Sequence, residues 1–128
     1  MSKSTFSKET ILKTGIIFSI LSVAIGAFGA HSLAEVLTEN DRIDTFKTAV
    51  LYQMFHSIAI IITGFLFNYY KSKKLRIAFY LFLVGIVLFS GSLYILSVTN
   101  IGIFGAITPI GGVLFIVGWV YLFLSVKK

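Results

Sequence analysis

Two histidines, His31 and His56, are the side chains here with the widest chemical range: imidazole can ligate metal, shuttle protons or pair two hydrogen bonds. His56 lies in a strongly apolar stretch, with Gln53 one helical turn before it. Ionisable and polar groups inside membrane segments are functional candidates by default. The hydroxyls that could join them are Ser90, Ser92 and Thr108. With no cysteine in the chain, disulfides, thiolate metal sites and cysteine nucleophiles are excluded. No Ser-His-Asp set and no paired carboxylates stand out, so neither a catalytic residue nor a cofactor is expected, and no enzymatic activity.

What must position these residues is helical and embedded in lipid. Of the 128 residues, 57% are hydrophobic and only 12% charged. A soluble fold of this size could not hide that much apolar surface. Four stretches are long enough to span hydrocarbon, which takes roughly 20 residues: 13–30, 48–70, 77–98 and 109–126. The expected fold is therefore all-α, an integral membrane four-helix antiparallel bundle, with residues 1–128 as one membrane domain. The first apolar run is read as a retained span, although its basic lead and small residues resemble a signal peptide. Thr108 before Pro109 reads as the N-cap and first residue of the fourth helix. Thr38 to Asp41 reads as a cap ahead of the second.

Charge supports four spans independently. Lys3, Lys8 and Lys13 precede the first, Lys71, Lys73, Lys74 and Arg76 separate the second from the third, and Lys127 and Lys128 follow the fourth. The other side carries only Arg42 and Lys47, beside Glu35, Glu39, Asp41 and Asp44. The positive-inside rule then puts both termini in the cytoplasm, with the chain multi-pass in a bacterial cytoplasmic membrane. The net charge of +6 is a topology signal, so nucleic acid is not an expected partner.

Helical wheels give each span a face. Gly15, Ser19, Ser22, Gly26, Gly29 and Ala30 share an arc of about 100°. Such a small-residue stripe lets helices approach closely, within one bundle or, more sharply, across a homo-oligomer interface. Gln53, His56, Ser57, Thr63 and Gly64 share about 120° of the second span. With the second span entering from the non-cytoplasmic side, His56 lies about 12 Å in. His31, Gln53, His56, Ser90, Ser92 and Thr108 are then expected to gather in the outer half of the bundle, above a plain hydrocarbon inner half. Leu33, Val36 and Leu37 suggest a short amphipathic segment on the outer surface. The uncharged stretch 100–107 reads as a short re-entrant or interfacial turn. Trp119 and Tyr121 read as interfacial anchors.

Ordered segments carry a resemblance. Gly26-Ala-Phe-Gly-Ala-His31, Thr48-Ala-Val-Leu-Tyr-Gln-Met-Phe-His56, Leu88-Phe-Ser-Gly-Ser-Leu-Tyr94, Gly105-Ala-Ile-Thr-Pro-Ile-Gly-Gly112 and Gly118-Trp119 together resemble the small membrane proteins of domain-of-unknown-function family 423 (YgdD/YwdK-like). The resemblance covers nearly the whole chain. It implies a multi-span helical membrane protein of uncharacterised function and brings no catalytic residues. The first motif departs from the family pattern at Ser32, where glycine is expected after the histidine.

The leading expectation is a structural or accessory membrane protein that acts through helix association in the bilayer, as a homo-oligomer or in a larger membrane complex. The alternative is a haem, metal or small-solute/proton site built around His31 and His56. The inner half offers little beyond Thr63 and Gly64 to carry a solute or proton, and no acidic residue lies within a span.

Overall fold

The computed structural model describes residues 7–127, so the basic residues Lys3 and Lys128 lie outside the described part. Five helices follow in order: α1 Lys8–Ala30, α2 Ala34–Glu39, α3 Ile43–Leu66, α4 Lys73–Thr99 and α5 Ile103–Ser125. All but α2 are long and apolar enough to cross a membrane.

Each long helix starts and stops for local reasons. Ser7 caps α1, its hydroxyl accepting from the Thr10 N–H at 3.2 Å, with Glu9 in the first turn complementing the helix dipole. Ser72 caps α4 in the same way through the Lys74 N–H. Helix α4 ends on Asn100, whose left-handed backbone (φ 58°) suits a short polar side chain. The α2–α3 turn contains the other left-handed residue, Asp41. This turn also completes α4, since the Asn40 side-chain amide donates to the carbonyls of Ser97 and Val98, both at 3.0 Å. Arg42 Nε donates to the Asn100 side-chain oxygen beside it. Carbonyls that a helix end leaves orphaned are thus satisfied from the neighbouring connection.

Three boundaries differ from the sequence expectation. Helix α5 begins at Ile103, so Thr108 is no N-cap and Pro109 lies inside the helix. The stretch expected as a re-entrant turn is mostly the first turns of α5, leaving only Asn100 to Gly102 outside helices. Thr38 sits inside α2, and α3 starts after Arg42 without a side-chain cap. The amphipathic segment is present as α2, with Leu37 buried beneath it.

Helix order follows from contacts. Gly64 meets Leu12, Gly15 meets Ile61 and Gly26 meets Val50, so α1 and α3 run antiparallel. Gly85 meets Phe115, Gly111 meets Phe89 and Gly118 meets Phe82, which sets α5 antiparallel to α4. Ser90 bonds Ala49 while His56 packs on Phe82, so α3 and α4 are antiparallel too. Helices α3 and α4 form the centre, 44% and 39% buried over their spans, against 17% for α1 and 22% for α5. The chain is an antiparallel four-helix bundle with α1 flanking α3 and α5 flanking α4. Ile60, Leu75, Phe79, Phe82 and Leu122 pack together as its apolar core toward the lysine-rich end.

Candidate functional site

The polar residues of the spans resolve into separate interhelical links. His56 lies on the middle turns of α3, roughly 20 Å from the helix start and eight residues past the start of the apolar span at 48. Its Nδ1 is 2.9 Å from the Tyr52 carbonyl, and its Nε2 is 3.0 Å from the indole nitrogen of Trp119 on α5. A carbonyl only accepts and an indole N–H only donates, so this pairing selects the neutral imidazole protonated at Nδ1. Both ring nitrogens are engaged. The ring lies flat on Phe115, with centroids 3.6 Å apart and planes 8° from parallel, and Phe55 and Phe82 flank it.

Gln53 ties three helices. Its amide nitrogen donates to the Phe18 carbonyl on α1 at 3.0 Å, and its amide oxygen accepts from the Tyr94 hydroxyl on α4 at 2.5 Å. Ser90 donates across from α4 to the Ala49 carbonyl of α3 at 2.7 Å. Ser92 and Thr108 join α4 to α5 through their hydroxyls, 2.6 Å apart. Either hydroxyl can donate across this pair while the other donates to its own helix, Ser92 to the Phe89 carbonyl at 3.0 Å or Thr108 to the Phe104 carbonyl at 3.3 Å. Ser57 and Thr63 bond back to carbonyls of their own helix. Among the described residues no buried side-chain nitrogen or oxygen lacks a partner.

The expected cluster therefore separates. Gln53 and Ser90 pin α3 to α1 and α4, Ser92 and Thr108 pin α4 to α5, and His56 pins α3 to α5. His31 joins none of them: it is the exposed C-cap of α1. Gly29, two residues before it, packs on Phe46, which is ten residues from His56 along α3. That puts the two imidazoles at levels at least roughly 15 Å apart. No group of three or more potential metal-binding side chains occurs among the described residues.

The small-residue stripe packs inside the chain, against α3. A Cβ on Gly15 would lie 2.6 Å from Ile61 Cγ1 and 2.9 Å from the Ser57 carbonyl oxygen, so the absence of a side chain sets the α1–α3 approach there. Ser22 and Gly29 are buried in the same contact, whereas Ala30 at the end of the stripe is exposed.

The sequence marks Tyr94 as a polar residue on the face of Ser90 without naming Gln53 as its partner, and gives no sign of Phe115 or of the inward role of Trp119. Trp119 read as an interfacial anchor, yet its indole N–H reaches into the bundle while the ring stays 37% exposed. Helices α3 and α5 run parallel, with His56 roughly 20 Å past the α3 start and Trp119 roughly 24 Å past the α5 start, a similarity of level that no motif in either segment signals.

Residues 25–112 match the family model described as "Protein of unknown function (DUF423)". The chain belongs to this family. Relatives at the level of the whole chain agree: a UPF0382 membrane protein of Staphylococcus haemolyticus is 46% identical over 89% of this chain and 92% of its own. The UPF0382 membrane protein YwdK of Bacillus subtilis is 43% identical over 89% and 93%. A UPF0382 membrane protein of Haemophilus influenzae is 43% identical over 78% and 79%. No solved structure matches. This DUF423 member is thus a membrane protein by family, and the match covers His31, Gln53, His56, Ser90, Ser92 and Thr108 but stops short of Trp119.

Proposed function

We propose that this DUF423 protein is a non-catalytic accessory of the bacterial cytoplasmic membrane, with both termini in the cytoplasm, acting through lateral helix association as a homo-oligomer or within a larger membrane complex. The observation that carries the reading is the saturation of His56: its two nitrogens are held by Tyr52 and Trp119, which leaves neither lone pair nor N–H for a ligand. Gln53, Tyr94, Ser90, Ser92 and Thr108 are committed to holding helices together, and Ser57 and Thr63 to carbonyls of their own helix. What remains open to association is the outer apolar surface of the flanking helices, with Ile16 and Ile20 on α1 and Ile116 and Phe123 on α5 exposed by 48–77%.

The test uses the lack of native cysteine. Single cysteines at Ile20, Ile116 and Phe123 are crosslinked in native membranes. Adducts of one defined mass, from one face only, are expected. Uncrosslinked monomer at every position contradicts the proposal, as does a Soret band or stoichiometric metal that disappears with His56→Phe.

A further inference from the structure

The contact between α1 and α3 loosens along its length. Near Gly15 the helices meet backbone to backbone, whereas at Gly26 the nearest atom to an added Cβ is Val50 Cγ1 at 3.3 Å, and at Gly29 only the Phe46 ring is close. The helices therefore part toward α2, with the Phe46 ring as a wedge. On one side of that ring lies a groove of about 720 Å³, bounded by α1, α2 and α3 and walled by Ser22, Gly26, Ala27, Ala30 and Met54. It extends from Ser22 to Ala30 along α1, roughly 12 Å.

Lys47 is the one charged side chain in the lining. It is exposed and has no ion pair or hydrogen bond among the described residues, although Asp44 lies one turn before it. It stands four residues inside the start of α3, roughly 6 Å along the axis. Lys47 directly precedes the apolar span 48–70, and at the end of a span a lysine stem lies along apolar surface while its ammonium reaches the headgroups.

We propose that this groove holds an acyl chain of a glycerophospholipid whose phosphate sits on the Lys47 ammonium. Apolar walls below and an unpaired cation at the rim match a chain below and a phosphate above. A second copy fits less well, because a two-fold contact centred on the groove would set two Lys47 side chains against each other.

The purified full chain is examined by native mass spectrometry with phosphatidylglycerol and with a glucosyl diacylglycerol of the same chains, which lacks the phosphate. Preferential retention of phosphatidylglycerol is expected. Lys47→Gln should weaken it about tenfold, the loss of one charged hydrogen bond, while Lys47→Arg keeps it. Ala27→Phe, at an exposed position on the groove wall, should abolish retention with Trp119 fluorescence unchanged. Equal retention of both lipids, an unaffected Lys47→Gln variant, or disulfide dimers of an Ala27→Cys variant in native membranes would each overturn the proposal.

Discussion

The indole N–H of Trp119 on α5 donates to Nε2 of His56 on α3 at 3.0 Å, and this bond links two helices that otherwise meet mainly through aromatic faces. Polar links between membrane helices contribute about 0.6 kcal/mol on average, with a maximum near 1.7. Trp119→Phe and His56→Phe are each expected to destabilise the bundle. In a double-mutant cycle read by unfolding in bicelles, the pair should show a coupling of about 1 kcal/mol. Coupling indistinguishable from zero would mean the bond forms no part of the fold's stability.

Gln53 should be the costliest single polar side chain to lose. Gln53→Leu removes the donor to Phe18 and leaves the Tyr94 hydroxyl without its acceptor in a low-dielectric setting. A loss of about 1–3 kcal/mol is expected. Adding Tyr94→Phe should recover part of it, because the stranded hydroxyl is then gone, and the same unfolding measurement reads both variants.

Glycine substitutions should rank by what a methyl group would meet. At Gly111 it runs into the backbone and Cβ of Phe89, and at Gly15 into Ile61 and the Ser57 carbonyl. Gly111→Ala and Gly15→Ala should each cost about 1–3 kcal/mol by forcing helices apart. Gly26→Ala meets only the end of Val50 at 3.3 Å and should cost less, while Gly91→Ala meets nothing within 4 Å and should stabilise slightly through alanine's better helix propensity. Thermal melts of the four variants check the order.

Topology follows from the lysines. A green fluorescent protein fusion after Lys127 should fluoresce, and an alkaline phosphatase fusion there should be inactive; insertion of each reporter at Gly102 should give the reverse. The same readout at both positions would break the four-span arrangement.

The spans were legible because hydropathy and the placement of lysines are independent signals that agree on four. The start of α5 was not. Proline suits the first turn of a helix, but here Asn100 ends α4 and Ile103 begins α5, so Pro109 falls in the second turn and its neighbours carry the packing instead. The small-residue stripe was legible as a packing face, since periodicity on one helix is a local property. Its partner was not, because periodicity names a face without saying which helix covers it. That the six polar residues form separate contacts was hidden for the same reason. Depth alone brought them together, whereas the observed helix order divides them among different contacts and leaves His31 outside all of them. The meeting of His56 with Trp119 depends on how α3 and α5 pack, which no local pattern encodes.

His56 is a saturated structural link between α3 and α5. Nitrogen NMR of ¹⁵N-histidine-labelled protein in lipid tests it most directly, with His31→Gln assigning the signals. The expected spectrum shows His56 protonated at Nδ1 with a hydrogen-bonded, unprotonated Nε2, the Nε2 signal moving in Trp119→Phe. A protonated Nε2, or an Nε2 signal indifferent to Trp119→Phe, would show that Trp119 does not hold the ring.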